Sequence, residues 1–119
     1  MSNVSNSGND CLFCRIARGE VPSRKAYEDD EFLVFHDIHP AAPVHLLMIP
    51  RIHVDSLLTA GPEHQALLGK LLALAPRIAR ENGCDNGFRV VINNGPDGGQ
   101  EVPHLHLHIL GGPRPWTRL

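Results

Sequence analysis

The segment HLHLHIL, residues 104–110, alternates imidazole and aliphatic side chains through its first six positions. A period of two is the mark of an extended strand, in which successive side chains point to opposite faces. It predicts His104, His106 and His108 on one face and Leu105, Leu107 and Ile109 on the other. The aliphatic face belongs against a core, so the chain must build a sheet with something packed on it. The histidine face must meet solvent or a polar site.

Geometry limits what this row can be. Positions two apart on a strand are separated by ~6.6 Å and positions four apart by ~13 Å, whereas zinc takes nitrogens at ~2.1 Å. Neighbouring histidines can share an ion, but His104 and His108 hardly can on a straight strand. A metal site made from the run alone is therefore poor. Three identical imidazoles are also an odd choice for a strand that is merely solvated. The remaining reading is catalysis, because imidazole attacks, donates and accepts protons near neutral pH. The loop before the run, NNGPDGGQ, carries Gly95, Gly98 and Gly99, where backbone N–H groups can approach an anion. Asn93 and Gln100 add amide donors.

The rest of the chain supplies the frame. Apolar residues at 12, 13, 16 and 17 have helical spacing, with Gly19 and Pro22 ending the turn. Phe32 to Phe35 and VHLLMIP (44–50) read as strands, and FRVVINN (88–94) as a third. GPEHQALLGKLLALAPRIAREN is one long helical pattern, with Gly83 as its C-cap and a kink or break predicted at Pro76. The sum is an α+β domain: an antiparallel sheet of about five strands with one long and one short helix. At 119 residues the chain reads as a disordered leader over 1–10 and a single domain over 11–119.

Composition excludes some partners. The 11 Lys and Arg are scattered among 13 Asp and Glu with no basic run, which argues against nucleic acid. No apolar stretch approaches the ~20 residues of a membrane span. The start lacks a secretion-signal pattern, and three cysteines, an odd number, argue against a disulfide framework. The cytoplasm is the expected compartment.

The segment GGQEVPHLHLHILGG closely resembles the signature of the histidine triad (HIT) family, His-φ-His-φ-His-φ with φ apolar. YEDDEFLVFHDIHPAAPVHLLMIPRIH resembles that family's earlier segment, and the likeness runs from about residue 11 to Trp116. GGQEV and the short tail look most like the Hint branch. The resemblance implies a homodimer whose two sheets join into one. It also implies a nucleotide hydrolase or transferase acting at the α-phosphate of purine nucleoside phosphoramidates or related conjugates. Hydrolysis of dinucleoside polyphosphates, a nucleotide-binding regulatory protein with weak activity, and a metal-dependent hydrolase are the rival readings.

By the same resemblance His106 is the nucleophile and forms a nucleotidyl-histidine intermediate. His108 contacts the phosphate and His45 orients the triad. Asn93, Gly99 and Gln100 bind the phosphate or leaving group, with Val102 beside them. Asp37 takes the ribose hydroxyls, while Leu12, Phe13, Ile16, Phe35, His36 and Ile38 line the base pocket. Trp116 resembles a residue that reaches the partner's site. Some Hint-like members carry Ser or Thr where this chain has Glu101, and an inward carboxylate there would repel phosphate.

CLFC, residues 11–14, is a C-x-x-C pair. On its own it reads as redox-active, as a zinc half-site or as two buried thiols. In zinc-bearing HIT proteins the pair is completed by two histidines, which fall here on His53 and His104. The resemblance thus implies a structural zinc on Cys11, Cys14, His53 and His104, and no organic cofactor. Cys84 has no partner in this reading, and His39 and His64 read as surface residues.

Overall fold

A computed structural model describes residues 11–116. The expected leader, 1–10, and residues 117–119 lie outside the described residues. Five strands form one antiparallel sheet: β1 (Lys25–Glu28), β2 (Phe32–His36), β3 (Val44–Pro50), β4 (Phe88–Val91) and β5 (Leu107–Gly111). Their spatial order is β1-β2-β3-β5-β4. A short helix α1 (Leu12–Ala17) precedes the sheet, and a long helix α2 (Gln65–Glu81) crosses from β3 to β4. Among the described residues no helix is long and apolar enough to cross a membrane.

The alternation divides the molecule. Phe32, Val34, Leu46, Met48, Leu107 and Ile109 pack on one face against Leu71, Ala75, Ile78 and Ala79 of α2. On the other face Leu33, Phe35, Leu47 and Ile49 pack against Phe13, Cys14 and Ile16 of α1. β2 and β3 are covered on both sides, which is why they read as unbroken apolar runs. His45 alternates with Leu47, and Leu47 is the register partner of His108, so both histidines lie on the α1 side. The histidine face is therefore roofed by a helix: His104 is 0% and His106 6% exposed.

The sheet has the expected five strands; the one to which the sequence assigns no residues is β1, whose four residues, charged ends and outer position give too little pattern to read. Three expectations about elements need correction. The last strand starts at Leu107 rather than His104. The ladder with β3 ends at Met48 and Leu107 because the chain before it turns to other partners: the Leu105 N–H goes to the Val54 carbonyl at 2.6 Å. β4 ends at Val91 rather than Asn94. The side chains of Asn93 and Asn94 there bond local carbonyls of Gly98 and Ile92, drawing the chain into a loop. Finally, α2 runs through Pro76 unbroken. Pro76 and Leu72, whose carbonyl it leaves free, are both exposed, so water can take that carbonyl. Gly83 caps the helix as expected, at φ +88°.

Candidate active site and metal site

Because β5 begins late, residues 104–106 leave the ladder and their histidines turn to different neighbours. The nitrogen partners set each tautomer, since a carbonyl accepts only. His104 Nε2–H donates to the Pro50 carbonyl at 2.8 Å, leaving the Nδ1 lone pair toward the thiols. His106 Nδ1–H donates to the His104 carbonyl at 2.7 Å, which leaves Nε2 bare. His45 Nδ1 accepts the Ala41 N–H at 3.0 Å, so its proton sits on Nε2. That proton faces His108 Nδ1 at 2.9 Å and Asp37 Oδ2 at 3.4 Å. His108 must then carry its own proton on Nε2.

His106, His108 and Asp37 border a cleft of about 240 Å³. Its lining holds His106, His108, Asp37, Asn93, Gly99, Val102 and Phe13, all expected, and adds Leu47 and Glu101. Phe13 meets the His106 ring edge-on at 5.0 Å between centroids. Leu47 was legible two places beyond His45 on the same strand face. Among the described residues no Lys or Arg lines the cleft, and two carboxylates do.

The other expected contacts fall elsewhere. Phe35 and Ile16 are core, His36 is half-buried, and Leu12 and Ile38 are 45% and 85% exposed. Gln100 is turned inward. Its oxygen accepts the Gly95 N–H, and its nitrogen donates to the carbonyls of Asp55 (2.7 Å) and Val102 (2.9 Å). The side chain braces the loop, with both of its N–H donors already engaged. Gly99 makes the turn possible at φ +80°. Trp116 lies on its own chain between the guanidinium groups of Arg89 and Arg114. It borders a separate hollow of about 700 Å³ beside the α2–β4 turn, which contains none of the histidines.

Cys11, at the head of α1, accepts the Cys14 N–H, so the helix start holds both thiols on one side. Cys11 Sγ lies 3.3 Å from His104 Nδ1. Cys14 Sγ lies 3.4 Å from that atom and 3.2 Å from His53 Nδ1. Zinc bonds of ~2.3 Å to sulfur and ~2.1 Å to nitrogen, at tetrahedral angles, put S and N roughly 3.6 Å apart. The four donors are close to that spacing and fit the ion. Burial, reinforced by the neighbouring Cys11 thiol, pushes the Cys14 thiol up to about 12, so two thiolates here call for a cation. Asp37, His45 and His108 also converge. However, 2.9 Å between the two histidine nitrogens is hydrogen-bond spacing, tighter than the roughly 3.4 Å of two nitrogens on one tetrahedral ion. The triad's imidazoles turn to three neighbours, which speaks against one metal held by all three.

Burial keeps these imidazoles neutral. It lowers His106 and His45, the latter pulled partly back by Asp37. It takes His108 to about 4, helped by repulsion from His106 and His45, and His104 also to about 4. For such bases the unfolded chain binds protons first. The stability contribution is complete above pH ~6.5 and is lost as pH falls from there toward 4. At pH 5 the unfolded chain's stronger hold on protons costs the metal-free fold up to about 2 kcal/mol at each, or roughly 3 for the pair once solvent screening of the half-buried His108 is allowed for. The urea midpoint is accordingly expected to fall clearly between pH 7.5 and pH 5, and an unchanged midpoint contradicts the buried neutral pair.

Comparison with known proteins agrees with this geometry. Residues 18–114 match the model of the HIT domain. Protein HitA of Neisseria gonorrhoeae is 54% identical over 105 residues, covering 88% of this chain and 98% of that protein. A 14 kDa zinc-binding protein of Brassica juncea is 46% identical, covering 87% and 93%. The crystal structure of a HIT family hydrolase from Legionella pneumophila superposes with a TM-score of 0.85 at 44% identity, covering 87% and 94%. With matches of this extent and identity, the chain belongs to the HIT domain family.

Proposed function

We propose that the protein is a nucleotide hydrolase or transferase that attacks the α-phosphate of purine nucleoside phosphoramidates or related conjugates through His106. The observation that carries this reading is the bond from His106 Nδ1–H to the His104 carbonyl. It fixes the proton on one nitrogen and leaves the other, on a ring that lines the cleft, with an available lone pair.

In the first step His106 Nε2 bonds to phosphorus and the phosphorus–nitrogen bond to the leaving amine breaks. The amine takes a proton from water as it departs. His108, a neutral donor through Nε2–H, stabilises charge on a phosphoryl oxygen, and the Gly99 and Asn93 loop closes one side. In the second step water attacks phosphorus, the bond to His106 breaks, and the borrowed proton is returned. One water is consumed and a nucleoside monophosphate is released. Asp37 is placed to accept the ribose hydroxyls. Phe13, Leu47 and Val102, the apolar residues of the cleft lining, give the purine an apolar border. Glu101, whose field raises His106, keeps surplus negative charge away from the leaving-group side.

A structural zinc on Cys11, Cys14, His53 and His104 fits the same reading, and a relative described as zinc-binding supports it. Four protein ligands leave no place for a water, so the ion would tie α1 to the sheet and take no part in the reaction. A homodimer joined through a sheet edge is consistent with β4, an outer strand whose Phe88 and Val90 are 39% and 37% exposed. Three free cysteines suit a reducing compartment, the cytoplasm.

The test is rapid quenching of the protein with adenosine 5′-phosphoramidate, followed by peptide mass spectrometry. An adenylyl group on His106 is the expected product. Accumulating AMP with no adduct at that residue defeats the mechanism.

A further inference from the structure

His53 and the loop beside the nucleophile are joined by one residue to which the reaction itself gives no work. Asp55 stands two places after His53, and its Oδ1 lies 2.5 Å from His53 Nε2. His53 Nδ1 is the atom that faces the Cys14 sulfur. The carboxylate is thus on the far nitrogen of a metal-ligating ring, where it accepts the N–H, fixes the tautomer and makes the ligating nitrogen more basic. The backbone of the same residue faces the other way. Its carbonyl accepts Gln100 Nε2–H at 2.7 Å, and Gln100 in turn accepts the Gly95 N–H at 2.8 Å. Gly95 opens the loop whose Asn93 and Gly99 line the cleft. Next to Asp55, the Val54 carbonyl accepts the N–H of Leu105, the residue between His104 and His106.

We infer that Asp55 is a positioning residue that couples the metal site to the catalytic loop: its carboxylate orients His53 toward the ion while its carbonyl anchors Gln100 and, through it, Gly95. Metal binding fixes His53, His53 fixes Asp55, and the loop beside His106 stiffens. The inference rests on zinc occupying the four-ligand site.

Neither readout of the test involves a nucleotide. Zinc affinity is measured by competition with a chromophoric chelator on the full-length protein, Asp55→Ala and Asp55→Asn. Asp55 is half exposed, so the alanine variant keeps the fold. Asp55→Ala is expected to bind zinc ten- to a hundredfold more weakly, the usual loss for an outer carboxylate. Asp55→Asn, which still presents an acceptor, should recover part of it. Hydrogen exchange then reads the loop. Zinc should slow exchange of the Gly95 amide about tenfold in the wild type and leave it unchanged in Asp55→Ala. Equal affinity in wild type and Asp55→Ala overturns the inference alone, as does a Gly95 amide indifferent to zinc in the wild type. A wild-type protein that binds no zinc overturns the zinc site and the inference together.

Discussion

His106→Ala is expected to lower turnover of adenosine 5′-phosphoramidate by at least about 10⁴-fold while AMP still binds within a few-fold of wild type. The asymmetry follows from the position of the ring. In the proposed mechanism His106 supplies the atom that bonds phosphorus, whereas binding would be shared among Asp37, Asn93, Gly99 and His108, which line the cleft around it. Without the attacking nitrogen only water in a prepared cleft is left, and no other neutral imidazole there has a bare nitrogen. The variant must be separated from one that has simply unfolded. His106 is 6% exposed, and its removal leaves a cavity and an orphaned His104 carbonyl, costing about 2–4 kcal/mol. His106→Asn retains a donor for that carbonyl and should melt closer to wild type while being equally inactive. Turnover retained in a folded His106→Asn would remove histidine as the nucleophile.

Stripping the metal is expected to have the largest effect on stability with the smallest effect on chemistry. A site that binds zinc a thousandfold below its free concentration stabilises the fold by about 4 kcal/mol. In a domain of this size that is roughly 10–20 °C in melting temperature. The ion would join the start of α1 to residues 53 and 104, three stretches otherwise held by the Val54 carbonyl–Leu105 N–H bond and by edge-on contacts of the His104 ring with Phe13 and His53. A strong chelator should therefore lower the melting temperature by that amount, and Cys14→Ser should reproduce the loss without chelator. Below the new transition, turnover should fall by no more than a few-fold. Immediate and complete loss of turnover at temperatures where the protein stays folded would instead assign the chemistry to a metal.

The parts of the molecule that could be read in the chain are those in which one local pattern does the work. β3 was legible over 44–50 because Pro50 ends an apolar run, and the aliphatic face of residues 105–109 because alternation has one outcome in a strand. What escaped is tertiary. Nothing near residue 104 announces that the Val54 carbonyl will take the Leu105 N–H and the Pro50 carbonyl the His104 ring, so that the ladder ends at Leu107 and His104 and His106 turn to separate neighbours. Gln100 reads as a donor toward phosphate until the carbonyls of Asp55 and Val102 are seen to occupy it. Asp55 itself left a faint trace, since an acidic residue two places after a ligand can lie on its side in extended chain.

The groups that set the imidazole tautomers are main-chain atoms: the carbonyls of Pro50 and His104 and the amide of Ala41. Every amino acid brings such a carbonyl, and all but proline bring the amide. The protonation pattern of the row is thus insulated from drift in the residues around it. Side-chain exchange at residues 41 and 50 would leave these groups in place, and amide-to-ester replacement at residue 41 would reach what it does not.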